Sequence, residues 1–219
     1  MTQPLATLTG AYLGWGGVAV LRDVTLRVDP GERIVLMGRS GAGKSTLLAA
    51  VQERILTRAA LVPQDHGLIG ALPVFHNVWT GVLDDHGTAR NLRTLVWPTQ
   101  AERAQVDAVL GMVGLAGLGR RPAAQLSGGQ KQRVALARAL LRGGDVVLGD
   151  EPVTALDPAQ GAALLDQLTQ AFATTVVVLH DVAQALRVAT RIVGLRGGLV
   201  ALDAPAADLT EADVLTLYR

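Results

Sequence analysis

Eight consecutive residues in the first quarter of the chain have the spacing G-x-x-x-x-G-K-[ST], which is typical of a phosphate-binding loop. They are Gly38, Arg39, Ser40, Gly41, Ala42, Gly43, Lys44 and Ser45. Glycines let successive backbone N–H groups turn toward phosphate oxygens, and Lys44 supplies a point charge for the β- and γ-phosphates. The Ser45 hydroxyl is suited to Mg²⁺, and Thr46 can reach the α-phosphate. We therefore expect a site for Mg-ATP.

An apolar run, residues 146–149, ends in two adjacent carboxylates, Asp150 and Glu151. An aspartate at the tip of a buried strand can hold Mg²⁺ through water, as a Walker-B aspartate does, and Glu151 can polarise the attacking water. Solvated acids at the end of a strand are common. Without other evidence, residues 146–151 would be better interpreted as such a strand end than as a catalytic segment. A phosphate-binding loop in the same chain favours the catalytic interpretation.

A second glycine pair occurs at residues 126–130, Leu-Ser-Gly-Gly-Gln. Ser127 followed by Gln130 fits a capping box that opens a helix. A capping box does not require two glycines between its members, and glycine is a poor residue in the first helical turn. Gly128 and Gly129 would let backbone N–H groups approach an anion at a helix N-terminus. This segment is a candidate second phosphate-binding surface.

Residues 126–130 resemble the LSGGQ signature of ABC transporter ATPases, and the resemblance extends over nearly the whole chain. It implies a head-to-tail dimer with a second, identical copy. Ser127, Gly128 and Gly129 of one copy would contact the γ-phosphate held by Lys44 of the other, and Gln130 would belong to the same nucleotide-binding set. We call residues 126–130 the signature segment.

Three further segments match the family residue by residue. The resemblance implies that Gln64 contacts Mg²⁺ and the attacking water and senses the permease. It implies that residues 155–157, Ala-Leu-Asp, form the D-loop across the dimer interface, and that His180 is the switch histidine near the γ-phosphate and Glu151. Without the resemblance, His180 would be better interpreted as a cap of the following helix.

An aromatic residue near the N-terminus is the candidate for stacking on adenine. Trp15 lies 29 positions before Lys44, an offset that resembles the A-loop aromatic of the family. Tyr12 is the rival candidate. The structural alternative is that both simply pack against a small β-layer.

Apolar runs that alternate with helical patterns must position these residues, and they predict an α/β fold with a mostly parallel core sheet. The resemblance implies a P-loop NTPase: one domain over residues 1–219, a helical subdomain inserted at about 66–142, and a small antiparallel β-layer. Only 20 positions separate Lys44 from Gln64, about half the usual number, so we expect a shortened β-layer. Gly149 also departs from the larger apolar residue of the family and could loosen packing at the strand tip.

Composition excludes several classes of function. The chain has 219 residues, 49% of them hydrophobic, a net charge of +1 and no cysteine. The near-neutral charge provides no basic surface for nucleic acid, and the absence of cysteine rules out disulfides and thiolate metal sites. The first 21 residues carry no charge but are interrupted by polar residues. We expect neither a signal peptide nor a membrane span there, and therefore a soluble chain.

The resemblance implies an ATP-hydrolysing subunit that works at the cytoplasmic face of the membrane through separate permease subunits and, indirectly, a solute-binding protein. Residues 72–115 and 191–198 are similar to phosphonate-import ATPases, so phosphonate import is the predicted process. Another importer or an exporter remains an alternative. A soluble ABC ATPase without a permease and a non-hydrolysing regulatory subunit are two others. A soluble ABC ATPase usually carries long coiled-coil insertions or fused domains, and a non-hydrolysing regulatory subunit lacks competent catalytic residues.

Overall fold

The computed structural model describes residues 3–55 and 59–219. Eight strands and eight α-helices follow one another within these residues, joined in places by short 3-10 turns. The strands are β1 (Ala6–Trp15), β2 (Val18–Val28), β3 (Arg33–Gly38), β4 (Ala59–Val62), β5 (Val146–Asp150), β6 (Thr174–Val178), β7 (Arg191–Arg196) and β8 (Leu199–Pro205). The helices are α1 (Lys44–Arg54), α2 (Val74–Trp79), α3 (Thr88–Val96), α4 (Gln100–Met112), α5 (Gly128–Arg142), α6 (Pro158–Ala171), α7 (Val182–Val188) and α8 (Glu211–Leu215).

Six strands form the core sheet in the order β4-β5-β6-β3-β7-β8. All neighbouring pairs are parallel except β7 and β8, which form an antiparallel hairpin at one edge. The predicted mostly parallel α/β sheet is therefore confirmed. Because parallel neighbours need crossover connections, helices must pack on the faces of this sheet.

The strands β3, β5, β6 and β7 are buried on both faces, and alternate residues of each strand point to opposite sides. In β3, Val35 and Met37 join the core that contains the helices after β4, whereas Ile34 and Leu36 join the core under α1 and the β1–β2 hairpin. Strands buried on two faces need continuous apolar runs rather than polar alternation. This explains why residues 33–37, 146–148 and 176–179 were recognisable as core strands in the sequence.

A two-stranded antiparallel sheet, β1 and β2, lies outside the core sheet. Alternating apolar residues in this part of the sequence predict three short strands, at residues 5–9, 18–21 and 24–28. That prediction was wrong in its bounds, because two long strands of 10 and 11 residues cover the region. Register shifts near Gly10 and Gly14 interrupt the regular pairing, which explains the broken pattern. The predicted small antiparallel β-layer is confirmed, since only two strands form it in the described residues.

Helices α2 to α5 occupy the chain between β4 and β5, within the range of about 66–142 assigned from the sequence to a helical insertion. The long helix α5 packs against both α2 and β4, which connects this segment to the core sheet. That the segment is a separate subdomain of a single domain stays a prediction. In the described ranges, no helix combines the length and the hydrophobicity needed to cross a bilayer.

A buried carboxylate holds α3 and α4 together. Glu102 is only 2% exposed, and its Oε1 accepts hydrogen bonds from Arg93 Nη2 at 2.5 Å and Thr94 Oγ1 at 3.1 Å. Its Oε2 accepts from the Thr99 backbone N–H at 2.8 Å, completing a capping box at the start of α4. Burial alone would raise the pKa of Glu102, but hydrogen bonds from Thr99, Arg93 and Thr94 lower it to about 2.

We expect Glu102→Gln to lower the free energy of unfolding at pH 7 by about 1–2 kcal/mol, because Gln can still close the capping box but loses the charge-assisted bonds. The folded pKa of about 2 lies below the ordinary value of 4.5. The charge therefore stabilises the fold fully above about pH 5, and this contribution is lost as the pH falls toward 2. Denaturant unfolding at several pH values measures it. A stability difference between the two proteins that does not change from pH 7 to pH 3 would contradict the assignment.

Candidate active site

Three neighbouring strands of the core sheet end at the same edge, and each is followed by a predicted site residue. Strand β3 ends at Gly38 and leads into the phosphate loop, β5 ends at Asp150 before Glu151, and β6 ends two residues before His180. Since β6 lies between β3 and β5, His180 follows the strand in the middle. Adjacent strands are about 4.8 Å apart, so the ends of β3 and β5 are separated by about 10 Å. A phosphate group with its attacking water fits that span.

The phosphate loop, residues 38–45, requires glycine at its start. Gly38 has a φ of 140°, and a Cβ there would lie 2.4 Å from the carbonyl oxygen of Leu195 on the neighbouring strand. Backbone cannot yield to such a contact, so no side chain is compatible with this position. The loop is followed directly by α1, whose first residue is Lys44. The backbone N–H groups at a helix start are available to an anion.

Lys44 is buried, at 6% exposure, and lies close to both carboxylates. Its Nζ donates to the carbonyl oxygens of Gly38 and Arg39, at 2.9 Å each. Burial lowers the pKa of Lys44, and the nearby charges of Glu151 and Asp150 partly oppose this effect. A phosphate anion at the loop would add a further charge that favours the protonated ammonium.

Glu151 and His180 form a direct pair in the described structure. His180 Nε2 lies 2.6 Å from Glu151 Oε1, and the Thr154 hydroxyl donates to Glu151 Oε2 at 3.2 Å. Glu151 has a φ of 52°, a left-handed conformation that costs a residue with a side chain roughly 1–2 kcal/mol. Surrounding contacts must stabilise it there. The pair brings together two residues that are 29 positions apart in the sequence.

Three predicted Mg²⁺ contacts, Ser45, Gln64 and Asp150, line one open cavity of about 640 Å³. All three offer oxygen atoms, the ligand type that Mg²⁺ prefers. The cavity extends from the end of β5 to the C-terminal half of α5, where Arg138 and Arg142 line it. None of the signature residues 127–130 is among its lining residues in the described chain.

The signature segment forms the N-terminus of α5. Ser127 is the N-cap: its hydroxyl accepts from the Gln130 N–H at 3.3 Å, and Gln130 Oε1 accepts from the Ser127 N–H at 3.0 Å. The capping-box interpretation from the sequence is thus correct. Ser127 and Gly128 are nevertheless exposed, so the helix start remains accessible to a ligand.

Sequence reasoning missed two side chains that contact the Glu151 region, Thr154 and Gln132. Gln132, in α5, is buried at 4% exposure. Its Nε2 donates to the Glu151 carbonyl oxygen at 2.7 Å, and its Oε1 accepts from the Ala155 N–H at 2.8 Å. Both partners are about twenty residues away in the chain, and no spacing rule predicts such a contact.

At Gly149, a Cβ would lie 3.2 Å from Pro152 and Val177, so these residues already fill the space beside it.

The two adenine candidates lie on the β1–β2 hairpin. Trp15 is 66% exposed and Tyr12 is 72% exposed, so neither packs into the β-layer as the structural alternative required. The hairpin reaches the phosphate loop through Leu21, since a Cβ on Gly43 would lie 2.8 Å from the Leu21 side chain. The hairpin that carries both exposed aromatic rings is therefore in contact with the phosphate loop.

Comparison with known proteins gives matches over nearly the whole chain. A family profile described as ABC transporter matches residues 21–154. The phosphonates import ATP-binding protein PhnC of Frankia casuarinae is 38% identical over 96% of this chain and 94% of its own length. The phosphite import ATP-binding protein PxtA of Stutzerimonas stutzeri is 36% identical over 93% of this chain and 82% of its length. The PhnC protein of Anaeromyxobacter dehalogenans is 37% identical over 99% of this chain, which spans only 48% of that relative.

Solved structures have the same fold. The dimeric structure of MJ0796, a bacterial ABC transporter cassette, superposes with a TM-score of 0.79 at 26% identity, over 91% of this chain and 98% of that one. A post-hydrolysis dimer of the same cassette with ADP and Pi gives 0.74 at 26%, covering 93% and 97%. An inward-facing metal-chelate type ABC transporter gives 0.80 at 22%, covering 99% and 89%.

The glycine-rich loop, the paired Glu151 and His180 and an exposed signature at a helix start occur together on this fold. The profile match covers more than half of the chain, and several relatives align over most of both lengths. This chain therefore belongs to the ABC transporter family, as one of its ATP-binding subunits.

Proposed function

We propose that this chain hydrolyses ATP to drive the import of a phosphonate, or of a chemically similar phosphorus oxyanion, through separate permease subunits. The observation that carries the hydrolysis is the Glu151–His180 pair, 2.6 Å apart, at the strand edge that also carries the phosphate loop. The cargo assignment rests on the relatives, whose names specify phosphonate or phosphite import. We place the subunit at the cytoplasmic face of the membrane, attached through the permease.

Within one copy, each residue of the edge has a distinct role in this proposal. Lys44 and the phosphate loop hold the triphosphate, and Arg39, Ser40, Gly41, Ala42 and Thr46 belong to the same binding set. Glu151 orients the attacking water, and His180 holds the Glu151 carboxylate and contacts the γ-phosphate. Phosphoryl transfer depends mainly on such positioning and charge stabilisation. Each of these positions carries a chemically competent side chain, which argues against a non-hydrolysing regulatory subunit.

Ser45, Gln64 and Asp150 line one cavity, and their side chains carry the oxygen atoms that Mg²⁺ prefers as ligands. When bound, the ion would neutralise charge on the β- and γ-phosphates. The Ser45 hydroxyl would contact it directly, Asp150 would hold it through water, and Gln64 would contact both the ion and the attacking water. Gln64 is also exposed in this open cavity, where a permease segment could contact it.

A second copy supplies the signature contact to the γ-phosphate, which one copy alone lacks. The signature segment does not line the cavity of its own subunit, and its helix start is exposed. A second copy in head-to-tail orientation would place Ser127, Gly128, Gly129 and Gln130 against the γ-phosphate bound by Lys44. The dimeric cassettes among the similar structures support this arrangement. A solute-binding protein would act only through the permease.

A soluble ABC ATPase that acts without a permease is the main alternative. Such proteins usually carry long coiled-coil insertions, and the described chain contains no helix longer than the 15 residues of α5. The net charge of +1 also provides little attraction for nucleic acid. An ABC importer of another solute, or an exporter, would have the same ATP site, so only transport measurements separate these possibilities from phosphonate import.

Replacing Glu151 by Gln should reduce ATP turnover by at least about 100-fold, because the amide cannot act as a base. ATP binding remains, so the variant should form a stable dimer. Gel filtration with Mg-ATP measures this, and Lys44→Ala is the control that loses turnover and stays monomeric. Elution of the Glu151→Gln protein only as a monomer would contradict the head-to-tail dimer.

Trp15→Ala should raise KM for ATP by about 5- to 100-fold with a smaller change in kcat, as expected for a lost base–aromatic stacking contact. Tyr12→Ala is the matched control on the same strand and should have little effect. A large effect of Tyr12→Ala alone would transfer the role to Tyr12. Equal effects of both variants would indicate that the hairpin, rather than one ring, matters.

Uptake of a labelled alkylphosphonate should be lost in cells without this gene and restored by the wild-type chain but not by the Glu151→Gln variant. Labelled phosphite tests the related oxyanion, and labelled phosphate is the control. Unchanged uptake of all three would overturn the cargo assignment while leaving ATP hydrolysis intact, and accumulation of solute in the mutant cells would indicate export.

A further inference from the structure

The backbone of the proposed catalytic base lies in an unusual conformation that must be held by other groups. Glu151 has a φ of 52°, whereas most residues with a side chain avoid positive φ. Its carboxylate contacts His180 and Thr154, but both of these act on the end of the side chain. Gln132 lies outside the loop of Glu151 and donates a hydrogen bond to the Glu151 main chain.

Gln132 holds two separate points of the catalytic loop, residues 151–157. One end of its amide donates to the Glu151 carbonyl at 2.7 Å, and the other accepts from the Ala155 N–H at 2.8 Å. The side chain is only 4% exposed, so both bonds are made away from bulk water. Hydrogen bonds in such surroundings fix geometry well, and an unpaired buried group is costly.

A second contact joins the same loop to the same helix. A Cβ on Gly129 would lie 3.0 Å from the Ala155 carbonyl oxygen and 3.2 Å from Leu156. The first turn of α5 therefore packs directly on the catalytic loop, and a side chain at position 129 would press against that loop. Two contacts therefore hold the start of α5, which carries the signature, against the loop that carries Glu151.

We propose that Gln132 is a positioning residue that fixes the backbone of Glu151 relative to the start of α5. The inference rests on the proposed ATP hydrolysis in a dimer. In that dimer, the signature segment at the start of α5 contacts the nucleotide of the partner, whereas Glu151 acts on the nucleotide of its own subunit. Gln132 would then connect the occupancy of one site to the alignment of the base in the other.

Steady-state ATPase measurements on the full chain test this. Gln132→Met has a similar size but makes neither hydrogen bond, and kcat should fall about 10- to 100-fold, the range for a lost buried hydrogen bond at a reacting group. KM for ATP should change less than about threefold, because Lys44 and the phosphate loop are untouched. Gln132→Glu can still accept from Ala155 but cannot donate to the Glu151 carbonyl, so it should lose as much kcat as Gln132→Met.

A combined variant separates positioning from general destabilisation. In a Glu151→Gln background, Gln132→Met should reduce the residual turnover by less than about threefold, because two changes that act on one group are not additive. Glu102→Gln is the matched control, because it alters buried hydrogen bonds to Arg93, Thr94 and Thr99, none of which belongs to residues 151–157. It should leave kcat unchanged at a temperature where circular dichroism shows every variant to be folded.

Three results would overturn the proposal: wild-type kcat in Gln132→Met, an equal loss in both backgrounds, or a parallel change in kcat and nucleotide affinity. Failure of the proposed function is distinguishable from these, since it would appear as an absence of ATP turnover in the wild-type chain itself. A wild-type protein that hydrolyses ATP normally, together with an active Gln132→Met variant, would reject only the role of Gln132.

Discussion

Parallel hydrogen bonding between β5, β6 and β3 is the constraint on which the site depends. Asp150 is paired with Val178, and Val178 with Leu36, so the carboxyl ends of the three strands are aligned. In a parallel sheet all strand ends of one kind lie at one edge, and ligands bind outside that edge. A shift in register by one residue would reverse the direction of every side chain. The apolar residues on both faces prevent such a shift, because each face is buried in its own core.

That edge concentrates charge of both signs in a small space. Lys44 is buried beside two carboxylates, and burial lowers its pKa while those carboxylates partly oppose the change. A bound triphosphate with Mg²⁺ would bring both negative and positive charge to the same place. The buried Lys44 and the helix start at this edge suit a large polyanion rather than a neutral ligand. Space at this edge is also limited, because Gly38 faces the Leu195 carbonyl oxygen and leaves no room for a side chain.

The helical segment between β4 and β5 carries the second proposed functional surface, which lies well away from the phosphate loop in the sequence. Its last helix, α5, begins at the exposed signature and continues to Arg138 and Arg142 at the cavity that contains Gln64. One rigid helix thus spans from the proposed dimer contact to the proposed permease contact. Gln132 and Gly129 fasten the first turns of this helix to the loop of Glu151. Nucleotide, partner and permease would therefore act on a single element.

The sequence by itself determined the chemistry and most of the core elements. The spacing of the phosphate loop, the acids after an apolar run and the glycine pair of the signature are local patterns, and local patterns can be read from one chain. Runs such as residues 146–148 also identify strands buried on both faces. The long strands β1 and β2 were missed in part, because irregular pairing near Gly10 and Gly14 breaks their alternation. The family resemblance implied that His180 lies near Glu151, but only the tertiary structure decided the strand order that places it there. It also decided the contacts of Gln132 with a loop about twenty residues away. These depend on which strands pair and how helices pack on them, and such long-range choices leave no regular spacing in the sequence.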